Sequence, residues 1–373
     1  MSNQSNKKKN ILIFFWYYLP PGGAELFVEE ITKCLSEKYN FEIIAARGTT
    51  DLPKKEQLGP ALIYRVGMGN LFFDKFLFPF YSIQKAYEIK KEKEISLIHA
   101  IIANPAGLSA MLFHIFTKIP FLLTEQSGNL EKKVRSLGPI TFRIYKSIYQ
   151  TADFIHVITN FLKKSILALG INEKKITVLP NGLNLLQFRQ KGEKEKYRII
   201  CVARLEKYKG IEYLIDAMPE ILKSFPKTKL ILVGDGSERK NLTAKTKTLA
   251  IEKSVEFRGD IPHQQVPPEL TKSNVFVLPS LEEGQGLAVL EAQAAQVPVI
   301  ATNVGGIPDF IRNEETGILI EPKDHRAIAQ NIIKVFCDPN FSQKLAENAQ
   351  RHLEKYDWNN IASKIDQIYQ KLI

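Results

Sequence analysis

Ser280-Leu-Glu-Glu-Gly-Gln-Gly-Leu-Ala-Val-Leu-Glu291 brings together residues whose types and spacing could do chemistry. The apolar run Val275–Leu278 gives way to a polar loop with Glu283. An apolar, helix-forming segment carrying Glu291 follows. The amides of Gln285, Gly286, Leu287 and Ala288 open that helix without partners inside it, and the macrodipole adds partial positive charge there. Such an end binds phosphate. Two carboxylates around it accept hydrogen bonds from hydroxyls, as sugars and riboses offer. One small element can therefore hold a nucleoside diphosphate sugar. A loop and helix with two solvated acids has the same spacing, so the reading depends on the surrounding pattern.

Arg204 and Lys209 follow the run Ile199–Ala203, with Gly210 opening a helix. A diphosphate leaving group gains negative charge as its bond to a sugar breaks. Charge-assisted bonds from Arg and Lys contribute roughly 1.5–3 kcal/mol each, and preorganised charge at the leaving group lowers the barrier. In the first half, Pro20-Pro-Gly-Gly-Ala-Glu25 joins a strand to a helix, where Gly22 and Gly23 let a backbone approach a ligand. Gly234-Asp-Gly236, Gly305-Gly306-Ile-Pro-Asp309 and Pro180-Asn181-Gly182 are further strand-end turns. His99 ends the strand Ile95–Ala100 and is expected to point at the cleft; a structural role is its alternative.

These residues need a scaffold that gathers strand ends. Apolar runs rich in β-formers recur at Asn10–Trp16, Glu42–Ala46, Leu62–Val66, Ile95–Ala100, Phe121–Thr124, Phe154–Ile158 and Ile176–Pro180. A second series occupies Ile199–Ala203, Leu230–Val233, Val255–Arg258, Val275–Leu278, Val299–Ala301 and Ile318–Ile320. Helical patterns lie between them, including Ala24–Glu37, Phe76–Lys91, Ala106–Thr117, Ile211–Ser224 and Ser237–Leu249. Near-continuous apolar strands alternating with helices imply parallel sheets covered on both faces. The charged run 190–196 reads as the linker between two such series. The expected fold is α/β: two doubly wound, Rossmann-like domains, residues 1–185 and 186–355, facing across a cleft. Residues 356–373 are expected to pack back on the first. Ligands of such sheets sit beyond the carboxyl ends of the strands.

Composition narrows the class. A chain of 373 residues with 45% hydrophobic residues suits two ordinary cores. Nothing resembles a signal peptide, and the apolar region 101–123 is broken by polar residues and prolines. Cys34, Cys201 and Cys337 are isolated, as reduced thiols are. The expected location is cytoplasmic, peripheral on the inner face of the cell membrane. The six histidines show no metal-ligand spacing and no Asp-x-Asp occurs, so the site is expected to hold no metal. Residues 1–185 carry 24 Lys and Arg against 15 Asp and Glu, a balance of +9; residues 186–373 carry 27 against 25, or +2. No nucleic-acid motif accompanies that excess, so lipid or phosphate is the expected partner.

Taken in order, the motifs resemble the family-4 retaining glycosyltransferases with the GT-B fold. The second half is similar at Val-Ala-Arg204-Leu-Glu-Lys-Tyr-Lys209-Gly, Leu-Val-Gly234-Asp-Gly, Val-Glu-Phe-Arg258-Gly, Pro-Ser280 through Glu291-Ala and Val-Gly305-Gly-Ile-Pro. The first half is similar at Gly22-Gly-Ala-Glu, Ile98-His99-Ala and Val178-Leu-Pro-Asn181-Gly. The end, Asp357-Trp358 to Tyr369, looks like the family's helix that crosses back to the first domain. The resemblance implies a hexosyltransferase-type enzyme that needs no cofactor beyond its donor substrate, a UDP- or GDP-sugar. Glu283 would bind donor-sugar hydroxyls and Glu291 the ribose. Arg204 and Lys209 would hold the diphosphate with the amides of Gly286 and Leu287. The segment Val255–Gly259, with Arg258, would meet the base; Gly23 would lie near the phosphate and acceptor. The sequence departs from the family's pattern at Ile101, Gln126 and Gln285.

The implied activity is sugar transfer to a glycan acceptor, lipid-linked, in surface-polysaccharide assembly. A non-catalytic subunit that keeps the fold to bind a glycan or protein, and a transferase with a soluble acceptor, are the alternatives. Asn70-Leu-Phe-Phe-Asp-Lys-Phe-Leu-Phe-Pro-Phe-Tyr81 followed by the basic run Lys85–Lys93 suits an anionic membrane surface. A core helix with a solvated lysine face gives the same pattern.

Overall fold

A computed structural model describes residues 8–18, 22–128, 138–188 and 192–373. Pro20 and Pro21 of the glycine loop and Gln190 and Lys191 of the charged run lie outside the described residues. The chain divides into two compact units, residues 1–182 with 358–373, and residues 183–357.

In the first unit the elements run β1 (Lys9–Phe15), α1 (Gly23–Cys34), β2 (Tyr39–Ala46), β3 (Lys55–Leu58), β4 (Ala61–Val66), α2 (Leu71–Glu92), β5 (Ile95–Ile101), α3 (Pro105–Thr117), β6 (Phe121–Glu125), α4 (Pro139–Thr151), β7 (Phe154–Val157), α5 (Asn160–Leu167) and β8 (Ile176–Val178). The sheet order is β3-β4-β2-β1-β5-β6-β7-β8, parallel except for β3 against β4. The sequence reading missed β3. Its residues, Lys-Glu-Gln-Leu, carry no apolar run because an edge strand has one open side. Alternate residues of β1 serve opposite faces. Leu12 and Phe14 join a core with Phe78, Ala106 and Ile148 from α2, α3 and α4, whereas Ile11 and Ile13 join Phe27 of α1.

The second unit runs β9 (Arg198–Val202), α6 (Ile211–Ser224), β10 (Lys229–Val233), α7 (Arg239–Thr248), β11 (Val255–Gly259), α8 (Val266–Thr271), β12 (Val275–Leu278), α9 (Leu287–Ala294), β13 (Val299–Thr302), β14 (Ile318–Ile320), α10 (His325–Cys337) and α11 (Pro339–Gln350). Its all-parallel order is β11-β10-β9-β12-β13-β14. The turn 185–188 packs against α8 and α9, so the second unit begins before the charged run.

The last helix, α12 (Trp358–Leu372), returns to the first unit. Trp358, Ile361, Ile365 and Tyr369 join the core beside α1, and Asp366 accepts bonds from Tyr39 Oη at 2.7 Å and Lys38 Nζ at 2.5 Å. Alternation along β5 turns His99 to the same face as Leu97 and Ile101. His99 is therefore buried in this core and not directed outward, correcting the sequence expectation. Burial, then the adjacent His156, lowers the pKa of His99 to about 3; burial lowers that of His156 to about 4. Both rings are neutral at pH 7, which orders the protons between them. His156 Nε2 donates to the Leu179 carbonyl at 2.6 Å, so its Nδ1 accepts from Thr124 Oγ1 at 3.0 Å. Thr124 Oγ1 then accepts from His99 Nε2 at 2.7 Å, and His99 Nδ1 accepts from Tyr369 Oη at 2.9 Å. One directed chain thus ties α12 to β5, β6 and the end of β8.

This chain makes stability depend on pH below 6.5. The folded histidines bind protons more weakly than unfolded ones of pKa 6.5, so stability is full above that value and falls as the pH drops toward about 4. Urea unfolding should show a lower midpoint at about pH 5 than at about pH 7. Tyr369→Phe, which removes the donor to His99 Nδ1, should cost about 1–3 kcal/mol at neutral pH. Equal midpoints at both pH values would exclude neutral buried rings.

Candidate active site

In the second sheet the strand order reverses between β9 and β12, so their carboxyl ends form a crevice of the kind that binds ligands in doubly wound sheets. Lys209 follows β9 and Glu283 follows β12. Lys209 Nζ lies 2.6 Å from Glu283 Oε2, and Ser280 Oγ donates to the same oxygen at 3.2 Å. The two side chains are only 14% and 11% exposed, so the pair is little screened by water.

Backbone contact fixes these loops to one another. The Tyr208 carbonyl accepts from the amides of Leu281, at 2.8 Å, and Glu282, at 3.3 Å. Gly305, with φ +56°, crosses so close that a Cβ there would stand 1.8 Å from the Glu283 carbonyl oxygen. That oxygen also accepts from Gly306 N at 3.3 Å, and Thr302 Oγ1 donates to the Ser280 carbonyl at 2.5 Å. Glu283 is therefore held from the β9 side and the β13 side at once. Arg204 Nη2 donates to Tyr208 Oη, and the Arg204 and Lys209 cations stand 5.7 Å and 5.5 Å from the centroid of the Tyr208 ring. Both distances suit cation–π attraction.

Gly286, at φ +77°, caps α9 without a side-chain bond, so Leu287 and Ala288 present the helix's first amides beside Glu283. Glu291, 5% exposed, accepts from His263 Nε2 through Oε1 at 2.8 Å. Gly234 N donates to the Gly259 carbonyl at 2.9 Å, joining the ends of β10 and β11. Arg258 pairs with Glu256 on β11 at 2.7 Å, both side chains being half exposed. Among the described residues no group of three or more His, Cys, Asp and Glu could hold a metal ion.

The first sheet reverses between β1 and β5. There Asn181 Nδ2, after β8, donates to the Gln126 Oε1, after β6, at 3.0 Å and to the Gly23 carbonyl at 3.4 Å. Glu125 is fully buried and accepts from five donors: the amides of Ala103, Gln126 and Ser127 and the hydroxyls of Tyr149 and Ser127. It fixes the loops after β5 and β6. Between them Ile102 holds φ +69°, a strained value for a β-branched residue.

Comparison with known proteins gives the family. The family model Glycosyltransferase Family 4 matches residues 21–186, and Glycosyl transferases group 1 matches residues 185–352. The chain belongs to the group 1 glycosyltransferases of family 4. An uncharacterised glycosyltransferase of Methanocaldococcus jannaschii is 28% identical over 340 residues, 86% of this chain and 87% of that protein. The putative teichuronic acid biosynthesis glycosyltransferase TuaC of Bacillus subtilis is 29% identical over 288 residues, 74% and 70% of the two chains. Anabaena HepE, solved in complex with UDP, superposes with a TM-score of 0.80 and 19% identity over 97% of this chain and 100% of its own. The fold of this glycosyltransferase is GT-B.

Of the site residues read from sequence, Arg204, Lys209, Glu283, Gly286 and Leu287 come together in one group. Glu291 lies farther along α9, bonded there by His263 from the turn before α8. Gly23 accepts from Asn181, which also donates to Gln126, in the other unit. Arg258 is engaged by Glu256, and His99 belongs to the core. Tyr208 was missed, although its place between two cations in Lys-Tyr-Lys was a signal. His263 was missed for want of any signal, since only folding brings it to Glu291.

The close passage at Gly305 gives a controlled test. Gly305→Ala should abolish sugar transfer and lower the unfolding midpoint, because its Cβ cannot coexist with the Glu283 carbonyl. Gly59→Ala also has positive φ, +54°, but its Cβ would meet nothing within 4 Å. It should cost only about 1–2 kcal/mol of strain and keep activity. Full activity in Gly305→Ala would show that the clamp on Glu283 is not needed.

Proposed function

We propose that this glycosyltransferase moves a sugar, with retention and without a metal, from a UDP- or GDP-sugar to a lipid-linked glycan acceptor in cell-surface polysaccharide assembly. The partly buried Lys209–Glu283 pair beside the first amides of α9 carries the reading. An ammonium has three donors, and Glu283 takes one, leaving two for diphosphate oxygens. Arg204, one of whose donors goes to Tyr208, supplies the second cation. Two cations at the leaving group do what a bound metal does elsewhere, neutralising charge as it develops. Glu283, oriented by Lys209 and Ser280, is set to accept hydroxyl protons of the donor sugar. Glu291, with Oε1 taken by His263, keeps Oε2 for the ribose.

In the step proposed, the bond from the anomeric carbon to the diphosphate oxygen breaks as the acceptor oxygen bonds to that carbon from the same face. The acceptor proton passes to the departing diphosphate. The UDP bound to HepE and the teichuronic acid role named for TuaC support the donor class and the pathway. The work would be done at the cytoplasmic face of the membrane.

Thermal-shift screening of UDP-, GDP- and ADP-sugars tests the donor. A ligand at ~100 times its dissociation constant should stabilise by about 2.7 kcal/mol, and no response to any of the three would overturn the assignment. Glu283→Ala should lower turnover more than it weakens binding of the free nucleoside diphosphate, whereas Glu291→Ala should weaken the nucleotide itself. Equal losses of nucleotide affinity in the two variants, with full turnover in Glu283→Ala, would overturn this assignment. Transfer should survive exhaustive treatment with EDTA; a need for added divalent metal would refute the two-cation account.

A further inference from the structure

Helix α2 carries an apolar face that nothing in its own unit covers. One row, Asp74, Phe78, Ser82, Ala86 and Ile89, is buried against the sheet. On the outer side Phe72, Phe76 and Phe80 are 70%, 69% and 68% exposed, and Leu71, Phe73 and Leu77 are exposed around them. Six large apolar side chains in water within three turns of helix are far more than the scattered residues of an ordinary surface. Their backbone is firmly set. The Asn70 side chain caps the helix by accepting from the amides of Phe72, at 3.0 Å, and Phe73, at 3.4 Å. Asp74 is buried and accepts from the amides of Met68, at 2.7 Å, and Gly48 and Gly69, at 3.2 Å each. The face is thus part of the fold.

Its position matters. Parallel crossovers make α2, α3 and α4 run back from the carboxyl ends of β4, β5 and β6. Ser82 Oγ donates to Ser109 Oγ at 2.8 Å, which sets the register of α2 against α3. From that point α2 extends about 10 Å farther toward the carboxyl edge than α3 does. The exposed aromatics therefore rise from the edge of the sheet where Gly23, Gln126 and Asn181 meet.

Charge selects the occupant. From Leu71 to Tyr81 the only acid, Asp74, is buried, and Lys75 is exposed among the phenylalanines. On α4 the exposed Ile140 stands with Arg143 and Lys146, and no acid occurs from Pro139 to Thr151. The basic run Lys85–Lys93, which the sequence sets beside the aromatics, begins about one turn beyond Tyr81 and occupies the second half of α2. There Lys85 pairs with Glu88 and Lys93 with Glu42. No described helix is long and apolar enough to cross a membrane. Aromatic rings around a lysine, with no outward acid, match the headgroup boundary of an anionic bilayer.

We propose that the face of Phe72, Phe76 and Phe80 docks this enzyme on an anionic lipid bilayer, with Leu71, Phe73 and Leu77 entering beside them and Lys75 meeting lipid phosphate. The proposal gives a place to the lipid-linked acceptor and rests on that reading only for its purpose, since docking is measured without sugar transfer. The test is flotation of the whole chain with vesicles of phosphatidylcholine, alone or mixed with phosphatidylglycerol. Binding is expected to the anionic vesicles at low salt and to weaken as salt rises, because screening acts within roughly 10 Å at 0.1 M. The triple variant Phe72→Ser, Phe76→Ser, Phe80→Ser should bind at least about tenfold more weakly and keep its unfolding midpoint, since all three rings are exposed. Phe76→Trp tests insertion separately: its emission should shift to the blue on adding anionic vesicles. No binding at low salt, equal binding to both vesicles, undiminished binding by the triple variant, or an unshifted emission spectrum in Phe76→Trp would each overturn the proposal. So would a native dimer that the triple variant abolishes, which would assign the face to a second copy of the chain. Loss of docking with an unchanged nucleotide response would leave the transferase reading standing.

Discussion

Parallel strand pairing is the constraint on which the rest of the molecule depends. A parallel strand cannot be reached by a tight turn, so each crossover carries the chain over a face of the sheet, usually as a helix. Both faces of both sheets are thereby covered, and loops with freedom to carry chemistry emerge at one edge. Where the order reverses, between β9 and β12 and between β1 and β5, adjacent loops diverge and leave room for a ligand. Lys209 and Glu283 occupy the first of these places; Gly23 and Ile102 flank the second.

The same covering explains which polar groups are structural. His99, Thr124 and His156 lie within a sheet face, and each finds its partners inside the core. A buried polar group left unpaired costs about 1–3 kcal/mol, so such a chain stands or fails as a unit. Its directed protons fasten α12 by a bond that a purely apolar seam would lack. Glu125 and Asp74 follow the same logic. Each carboxylate is surrounded by amides or hydroxyls and holds loops in place.

Lys209 and Glu283 are in a different situation. Their pairing is partial, with donors and an oxygen to spare, and it lies at an edge. The surrounding backbone is immobilised by contacts too close for a side chain, as at Gly305. A site of this kind needs little reorganisation when a charged ligand arrives, which is how preorganised charge lowers a barrier. The stripe on α2 is the apolar counterpart: held by Asn70 and Asp74, and left uncovered by its own unit.

By itself the sequence determined the parallel strands, since near-continuous apolar runs are legible wherever both faces are buried. It also determined the loop–helix element from Ser280 to Glu291 and the cations Arg204 and Lys209, because each lies on one contiguous stretch. It could not reveal β3, whose edge position demands no apolar run, or the start of α2, where Asn70 caps a helix several residues before its regular pattern. Only the tertiary structure decided the side on which His99 would lie, because strand alternation and the docking of α12 together bury it. The same holds for His263 at Glu291 and Gln126 at Asn181. Each depends on register between elements distant in sequence, which local pattern does not encode.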